Sequence, residues 1–188
     1  MLRVALVLVV TLRVARGEPA PRVTVGVGGT LESVLAHSVD VAIAIRVSRS
    51  IYVNGSFAIV GKSRFLDDVE PVDGSFHAGQ LGASYVYSRP IYALAGRGSL
   101  GYQRIRGRDY NWLFDDGHSF PITMDNVFLE VAGVARRRFG AHVFVELVAF
   151  VRMHRMTDDT AFIVARYAFH EGQLVFGVGH TVNLGVSF

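Results

Sequence analysis

The last fifteen residues of the chain alternate between apolar side chains and small or polar ones. From Leu174 to Phe188 every second residue is apolar except His180, and the residues between them are mostly glycine, serine, threonine or asparagine. Successive side chains of a β-strand point to opposite faces, so this segment predicts a strand with one apolar and one polar face. Such strands are typical of barrels that contact hydrocarbon outside and enclose a polar interior.

The composition poses a problem that a barrel solves. The chain has 188 residues, 51% of them hydrophobic, and a mean hydropathy of +0.33. After the N-terminus, however, no segment approaches the roughly 20 consecutive apolar residues of a membrane helix. Strands of about ten residues spread apolar surface thinly along the sequence while their backbone groups stay paired. The alternative is a soluble β-barrel or sandwich whose apolar face turns inward.

The sequence gives little support for a disulfide-stabilised, nucleic-acid-binding or phosphate-loop protein. The absence of cysteine excludes a disulfide framework. The net charge is +3, but the basic residues are scattered and no nucleic-acid motif accompanies them, so no nucleic-acid partner is predicted. The glycine-rich run at 26–29 precedes no helix and is rejected as a phosphate loop. We predict no cofactor and no metal.

The N-terminus has the features of an export signal. Arg3 supplies a positive charge, Val4–Leu12 forms a short apolar core, and small residues lie at Ala15 and Gly17 before a cleavage site. Cleavage after Gly17 would leave residues 18–188 as one barrel domain. This core of nine residues is too short to cross a bilayer as an anchor.

From Arg22 onward the sequence falls into about eight alternating segments with connections of alternating length. Short turns follow strands two, four and six. Long loops are predicted at Lys62–Gly74, Arg104–Asp125 and His154–Gly172, and the apolar stretch Ala161–Phe169 within the third is predicted to be ordered, as a hairpin. Short periplasmic turns and longer outer loops are the rule in outer-membrane barrels, which places both termini on the periplasmic side.

The chain resembles the small eight-stranded bacterial outer-membrane β-barrel proteins of the OmpA-domain, OmpX and opacity-protein type. The resemblance lies in its size, its export signal, its succession of strands with short and long connections, and its terminal Phe188. The resemblance implies an all-β, transmembrane, antiparallel up-and-down barrel in the outer membrane. The outward residues Leu184, Val186 and Phe188 resemble the assembly signal that such barrels offer to the barrel-assembly machinery, with Asn183 where the usual pattern has glycine.

Charged residues that face inward are the candidate site. The alternation of inward and outward side chains along each strand, which we call parity, places Arg97, Glu130 and Glu146 in the interior. Arg46 and Arg136 lie lower in the barrel. Pairing about a turn at 136–140 would put Glu130 opposite Glu146 or Val148. We therefore predict one ion-pair cluster that fills the lumen and fixes the register, because buried ions need partners. The alternative is that the two carboxylates act as general acid and base.

The histidines and aromatic residues, which could in principle form a functional site, are explained by their positions in the barrel. Five histidines fall in or near the predicted outer loops and are interpreted as solvated: His37, His77, His118, His154 and His170. The tyrosines near strand ends predict an aromatic girdle at the membrane interfaces: Tyr85, Tyr87, Tyr92 and Tyr102. Trp112 and Phe114 in the second long loop are candidate partner contacts.

Three functions remain open from the sequence. The first is a non-enzymatic outer-membrane anchor whose loops serve structural, adhesion or interaction roles. The second is a narrow porin-like channel for small solutes, and the third is an enzyme that modifies lipid A. The expected partners are outer-membrane lipid and lipopolysaccharide, the barrel-assembly machinery, and an extracellular ligand of the loops.

Overall fold

The structure is a computed structural model, and its main feature is a closed antiparallel β-barrel. It describes residues 21–32, 37–62, 70–110, 119–157, 160–162 and 167–188. The strands are β1 (Val23–Glu32), β2 (His37–Arg46), β3 (Ile51–Lys62), β4 (Glu70–Ser88), β5 (Tyr92–Tyr110), β6 (Ser119–Phe139), β7 (Val143–Met156), β8 (Thr160–Phe162), β9 (Tyr167–Phe169) and β10 (Leu174–Ser187).

Eight of these strands make the barrel wall. Each of β1 to β7 pairs with its neighbour in the chain, β10 pairs with β7, and β1 pairs with β10 to close the barrel. All pairings are antiparallel, so the predicted up-and-down topology is confirmed. The ladder between β1 and β10 joins the two ends of the chain, and we call it the closing seam.

The two-faced strand pattern is confirmed along the wall. In β7 the odd-numbered residues from Val143 to Val151 are exposed on the outside, and the even-numbered ones from Phe144 to Phe150 are buried inside. In β10 Leu184 is 62% exposed, whereas its inward neighbour Asn183 is 3% exposed. The predicted girdle tyrosines Tyr85, Tyr87, Tyr92 and Tyr102 are all exposed on the outside.

The outward face decides between a membrane barrel and a soluble one. Large apolar side chains stand exposed around the wall, as Leu81, Leu100 and Val131 illustrate, while the interior holds many polar and charged groups. A soluble barrel would turn its apolar face inward, and a continuous apolar surface of this extent belongs in lipid. In the described part of the chain, no helix has the length and apolarity required to cross a membrane.

The barrel has two different ends. Three short turns, at 47–50, 89–91 and 140–142, lie at the same end as Arg22 and Phe188, and we call this the turn end. Gly140 in the third turn has a φ of 68°, a left-handed conformation that favours glycine. The opposite end, where the connections are longer, is the loop end.

Strands at the loop end are longer than the sequence predicts. The predicted loop at Arg104–Asp125 is wrong in extent, because β5 continues to Tyr110 and β6 starts at Ser119, with a continuous ladder between them. The first five residues of β4, from Glu70, likewise fall in the loop predicted at Lys62–Gly74. These extensions lack the apolar alternation from which strands were recognised, since a strand beyond the hydrocarbon needs no lipid-facing residues.

The third long connection contains the predicted hairpin. Thr160, Ala161 and Phe162 pair with Phe169, Ala168 and Tyr167, so β8 and β9 form a separate two-stranded sheet. The hairpin predicted within Ala161–Phe169 is therefore confirmed. The predicted export signal, Met1–Gly17, and the aromatic residues Trp112 and Phe114 lie outside the described residues.

Candidate functional site in the barrel interior

Glu130 is the centre of a buried ion-pair network. Its Oε1 accepts hydrogen bonds from Arg97 Nη2 at 2.7 Å and from Ser99 Oγ at 3.2 Å. Its Oε2 accepts from Arg152 Nε at 2.8 Å. The Glu130 side chain is fully buried, and each arginine side chain is 13% exposed. Three neighbouring strands, β5, β6 and β7, thus converge on one carboxylate.

Arg152 extends this network to the first strand. Its Nη1 donates to Glu32 Oε2 at 2.9 Å, from β7 past β10 to β1. The guanidinium also lies over two aromatic rings, with its Cζ 4.6 Å from the centroid of Phe128 and 4.3 Å from that of Phe150. These cation–π contacts add attraction where water is excluded.

His154 completes the network toward the loop end. Its Nε2 lies 2.5 Å from Glu32 Oε1, and its Nδ1 lies 2.9 Å from Asn126 Oδ1. The ring is fully buried and tilts against Phe128 at 5.4 Å between centroids. We call this set the upper network: Glu32, Arg97, Glu130, Arg152 and His154. Its two arginines balance the charge of its two carboxylates.

A second, separate ion pair lies nearer the turn end. Arg136 Nη2 donates to Glu146 Oε2 at 2.6 Å, and Asn183 Nδ2 donates to Glu146 Oε1 at 3.1 Å. The Arg136 guanidinium lies 4.2 Å from the ring centroid of Phe144. We call Arg136, Glu146 and Asn183 the lower network. It connects β6, β7 and β10.

Polar side chains of β1, β2 and β10 fill part of the remaining space. Thr30 Oγ1 donates to a carboxylate oxygen of Asp40 and lies 2.8 Å from Thr181 Oγ1. Ser38 Oγ donates to the other oxygen of Asp40 at 2.8 Å. The three strands are therefore tied together inside as well as by their ladders.

The prediction that Glu130 and Glu146 are neighbours is wrong. Glu130 lies opposite Arg152, and Glu146 lies opposite Arg136. The cause is the hairpin turn, because β6 continues through Phe139 and the chain reverses at Gly140–His142 rather than at 136–140. The pairing partner of Glu130 consequently moves from Glu146 to Arg152.

The other predicted interior residues divide between the two networks. Arg97 pairs with Glu130, and Arg136 pairs with Glu146, so they belong to different sites. Arg46 lies lower still, at the turn end, where its backbone N–H donates to the carbonyl of Arg22 at 2.8 Å. The single cluster predicted from parity is therefore two clusters.

Three members of the upper network were not among the predicted site residues. Arg152 faces inward by parity but was not selected. Glu32 is the last residue of β1. His154 falls at the start of the predicted third long loop, and its interpretation as a solvated residue is wrong. The usable signal was parity, since Glu32 continues the inward series Thr24, Gly26, Gly28 and Thr30 of β1.

The arrangement suits charge neutralisation in a narrow space. Both oxygens of Glu32, Glu130 and Glu146 accept hydrogen bonds, and His154 contacts a carboxylate and an amide. In the described ranges, no group of three His, Asp or Glu residues could hold a metal ion.

The residues that resemble an assembly signal lie on the closing seam. Leu184 and Val186 face outward opposite Val27 and Val25 of β1. The backbone N–H of Phe188 donates to the carbonyl of Val23 at 2.9 Å, and the carbonyl of Phe188 accepts from Arg22 at 2.7 Å.

Comparisons with known proteins give similar folds at low sequence identity. No protein-family model and no curated protein match the sequence. The N-terminal β-barrel domain of Pseudomonas aeruginosa OprF is 16% identical, with a TM-score of 0.46 over 86% of this chain and 96% of that one. Neisserial surface protein A (NspA) is 12% identical, with a TM-score of 0.46 over 88% of this chain and 94% of that one.

Proposed function

We propose that this protein is a non-enzymatic outer-membrane barrel with a closed bore. The barrel serves as a membrane anchor and presents the loops and strand extensions at its loop end. The supporting observation is that the charges in the interior neutralise one another across the bore. The upper network connects β1 with β5, β6 and β7, and the lower network connects β6, β7 and β10. An eight-stranded barrel is only wide enough for its side chains to fill it.

Two small cavities lie among these side chains. A cavity of about 50 Å³ lies between the two networks, bounded by Arg97, Arg136 and Glu146 among others. A second, of about 20 Å³, lies beside Arg152 and Phe128. Such volumes hold a few water molecules. A conducting path would require the ion pairs to separate, at a cost in unpaired buried charge.

The length of the strands supports a role for the loop end. β4, β5 and β6 have 19, 19 and 21 residues, whereas β1 and β2 have 10 each. The longer strands exceed what is needed to cross the hydrocarbon, about 9–11 residues, so they raise one side of the wall above the membrane. We propose that this raised side and its loops contact lipopolysaccharide or an extracellular partner, and that Leu184, Val186 and Phe188 serve assembly.

Conductance distinguishes the anchor from the channel. We expect the refolded protein in a planar bilayer to show no stable open state, because the upper network reaches from β1 to β5 on opposite sides of the wall. Glu130→Leu, which disconnects Arg97 and Arg152, is the matched variant and should raise the frequency of transient openings. Stable conductance steps from the wild-type protein would contradict the proposal and favour the channel.

The orientation of the barrel can be tested by labelling, since the chain has no cysteine of its own. Glu171→Cys places a thiol at the loop end, and Ala141→Cys places one in a turn at the other end. We expect a bulky, membrane-impermeant maleimide to label the first on intact cells and the second only after the outer membrane is opened. The reverse pattern would contradict periplasmic termini.

A further inference from the structure

The turn end of the barrel is strongly basic. Seven arginines lie in its turns and adjoining strand ends: Arg22, Arg46, Arg49, Arg89, Arg136, Arg137 and Arg138. The described segments 21–23, 45–52, 85–93 and 134–144 contain no aspartate or glutamate. Glu146, just above them, is bound by Arg136. These segments therefore carry an excess of positive charge, and Arg22, Arg46 and Arg138 also make other contacts.

A groove of about 810 Å³ opens within this basic end, between the β2–β3 turn and the end of β4. Arg22, Arg46 and Arg49 line it together with serines 48, 50 and 88. Its volume lies within the range of small-molecule sites, about 300–1,000 Å³. Guanidinium groups bind phosphate through paired hydrogen bonds, and hydroxyl groups can donate additional ones.

The other wall of the groove belongs to the lipid-facing surface. Val47, Tyr85 and Tyr87 also line it, and their exposed fractions are 60%, 66% and 48%. Arg89 holds one of these rings, because its Nε donates to the Tyr87 hydroxyl at 2.7 Å and its guanidinium lies 5.0 Å from the ring centroid. A soluble anion would gain nothing from this apolar wall.

We infer that the groove binds an anionic phospholipid, with the phosphate among Arg22, Arg46 and Arg49 and the acyl chains along Val47 and Tyr85. Charge complementarity selects an acidic headgroup, and continuity with the outer wall selects a molecule that carries hydrocarbon. The assignment to the inner leaflet of the outer membrane rests on the proposed periplasmic position of the turn end.

Native mass spectrometry of the barrel released from phosphatidylcholine nanodiscs containing phosphatidylglycerol tests this site. We expect the protein to retain phosphatidylglycerol several-fold more than phosphatidylcholine with the same acyl chains. Arg22→Gln combined with Arg49→Gln should remove most of that preference. The matched control is Arg137→Gln combined with Arg155→Gln, which changes the net charge equally outside the groove and should retain it.

Several outcomes would overturn the inference. They are equal retention of the two lipids, equal losses in both double variants, or displacement of the lipid by glycerol phosphate or a peptidoglycan fragment at similar concentration. Heat-modifiable gel mobility confirms that each variant is folded. Nanodisc binding does not depend on the direction of insertion, so a reversed labelling pattern would overturn the leaflet assignment alone, and a lost preference would overturn the site alone.

Discussion

Replacing Glu130 with leucine should lower the free energy of unfolding by about 3–5 kcal/mol, the range seen when one partner of a buried ion pair is removed. The carboxylate is fully buried and is shared by Arg97 and Arg152. Leucine fills a similar volume, so the loss arises from two arginines left without this partner rather than from a cavity. Urea denaturation of the refolded barrel in lipid measures the change.

Glu171→Leu is the control, since it removes a carboxylate from an exposed turn at the loop end. Its effect should stay within about 0.5 kcal/mol, as for most surface substitutions. A loss at Glu130 no larger than the loss at Glu171 would contradict the central role of Glu130 in the upper network.

The same variants distinguish one interior cluster from two. Arg97→Met and Glu130→Leu act on bonded partners, so their combined loss should be smaller than the sum of the single losses. Arg97→Met and Glu146→Leu act on different networks that meet only at a shared cavity, so their coupling should be much smaller than that of Arg97 with Glu130. Strong coupling between Arg97 and Glu146 would instead support the single cluster expected from parity.

Whether a side chain points outward or inward could be predicted, because strands alternate every two residues and the outer face must be compatible with hydrocarbon. Val143, Val145 and Leu147 could lie outside only if Phe144, Glu146 and Val148 lay inside. That rule requires no knowledge of the partner strand. It therefore held for the barrel strands even where their ends were misplaced.

Register was not predictable by the same rule. A shift of two residues keeps every side chain on its face, so alternation cannot distinguish Glu146, Val148 and Arg152 as partners of Glu130. The turn geometry decides, and the three arginines at 136–138 looked like a turn because they are polar. In the structure they are the last residues of a ladder that ends at Phe139 and Val143.

Gly185→Ala should cost about 1–3 kcal/mol, the range for overpacking a tight interior, and should slow closure of the barrel. A Cβ at this position would lie 2.3 Å from Cζ of Phe144 and 2.4 Å from the carbonyl oxygen of Val25. The guanidinium of Arg136 packs on this ring and limits how far the ring can shift. The carbonyl belongs to β1, so moving it disturbs the closing seam.

Gly133→Ala is the matched control, because it adds the same methyl group on the outside of β6, where no atom lies within 4 Å. Alanine restricts the unfolded chain more than glycine does, so this variant should be as stable as the wild type or slightly more stable. Adding Phe144→Leu to Gly185→Ala should recover part of the loss, because it removes the ring contact and leaves the carbonyl contact. Heat-modifiable gel mobility and the urea midpoint report both effects. If Gly185→Ala proved as stable as Gly133→Ala, the close packing of β10 against β1 and Phe144 would not be what limits closure at the seam.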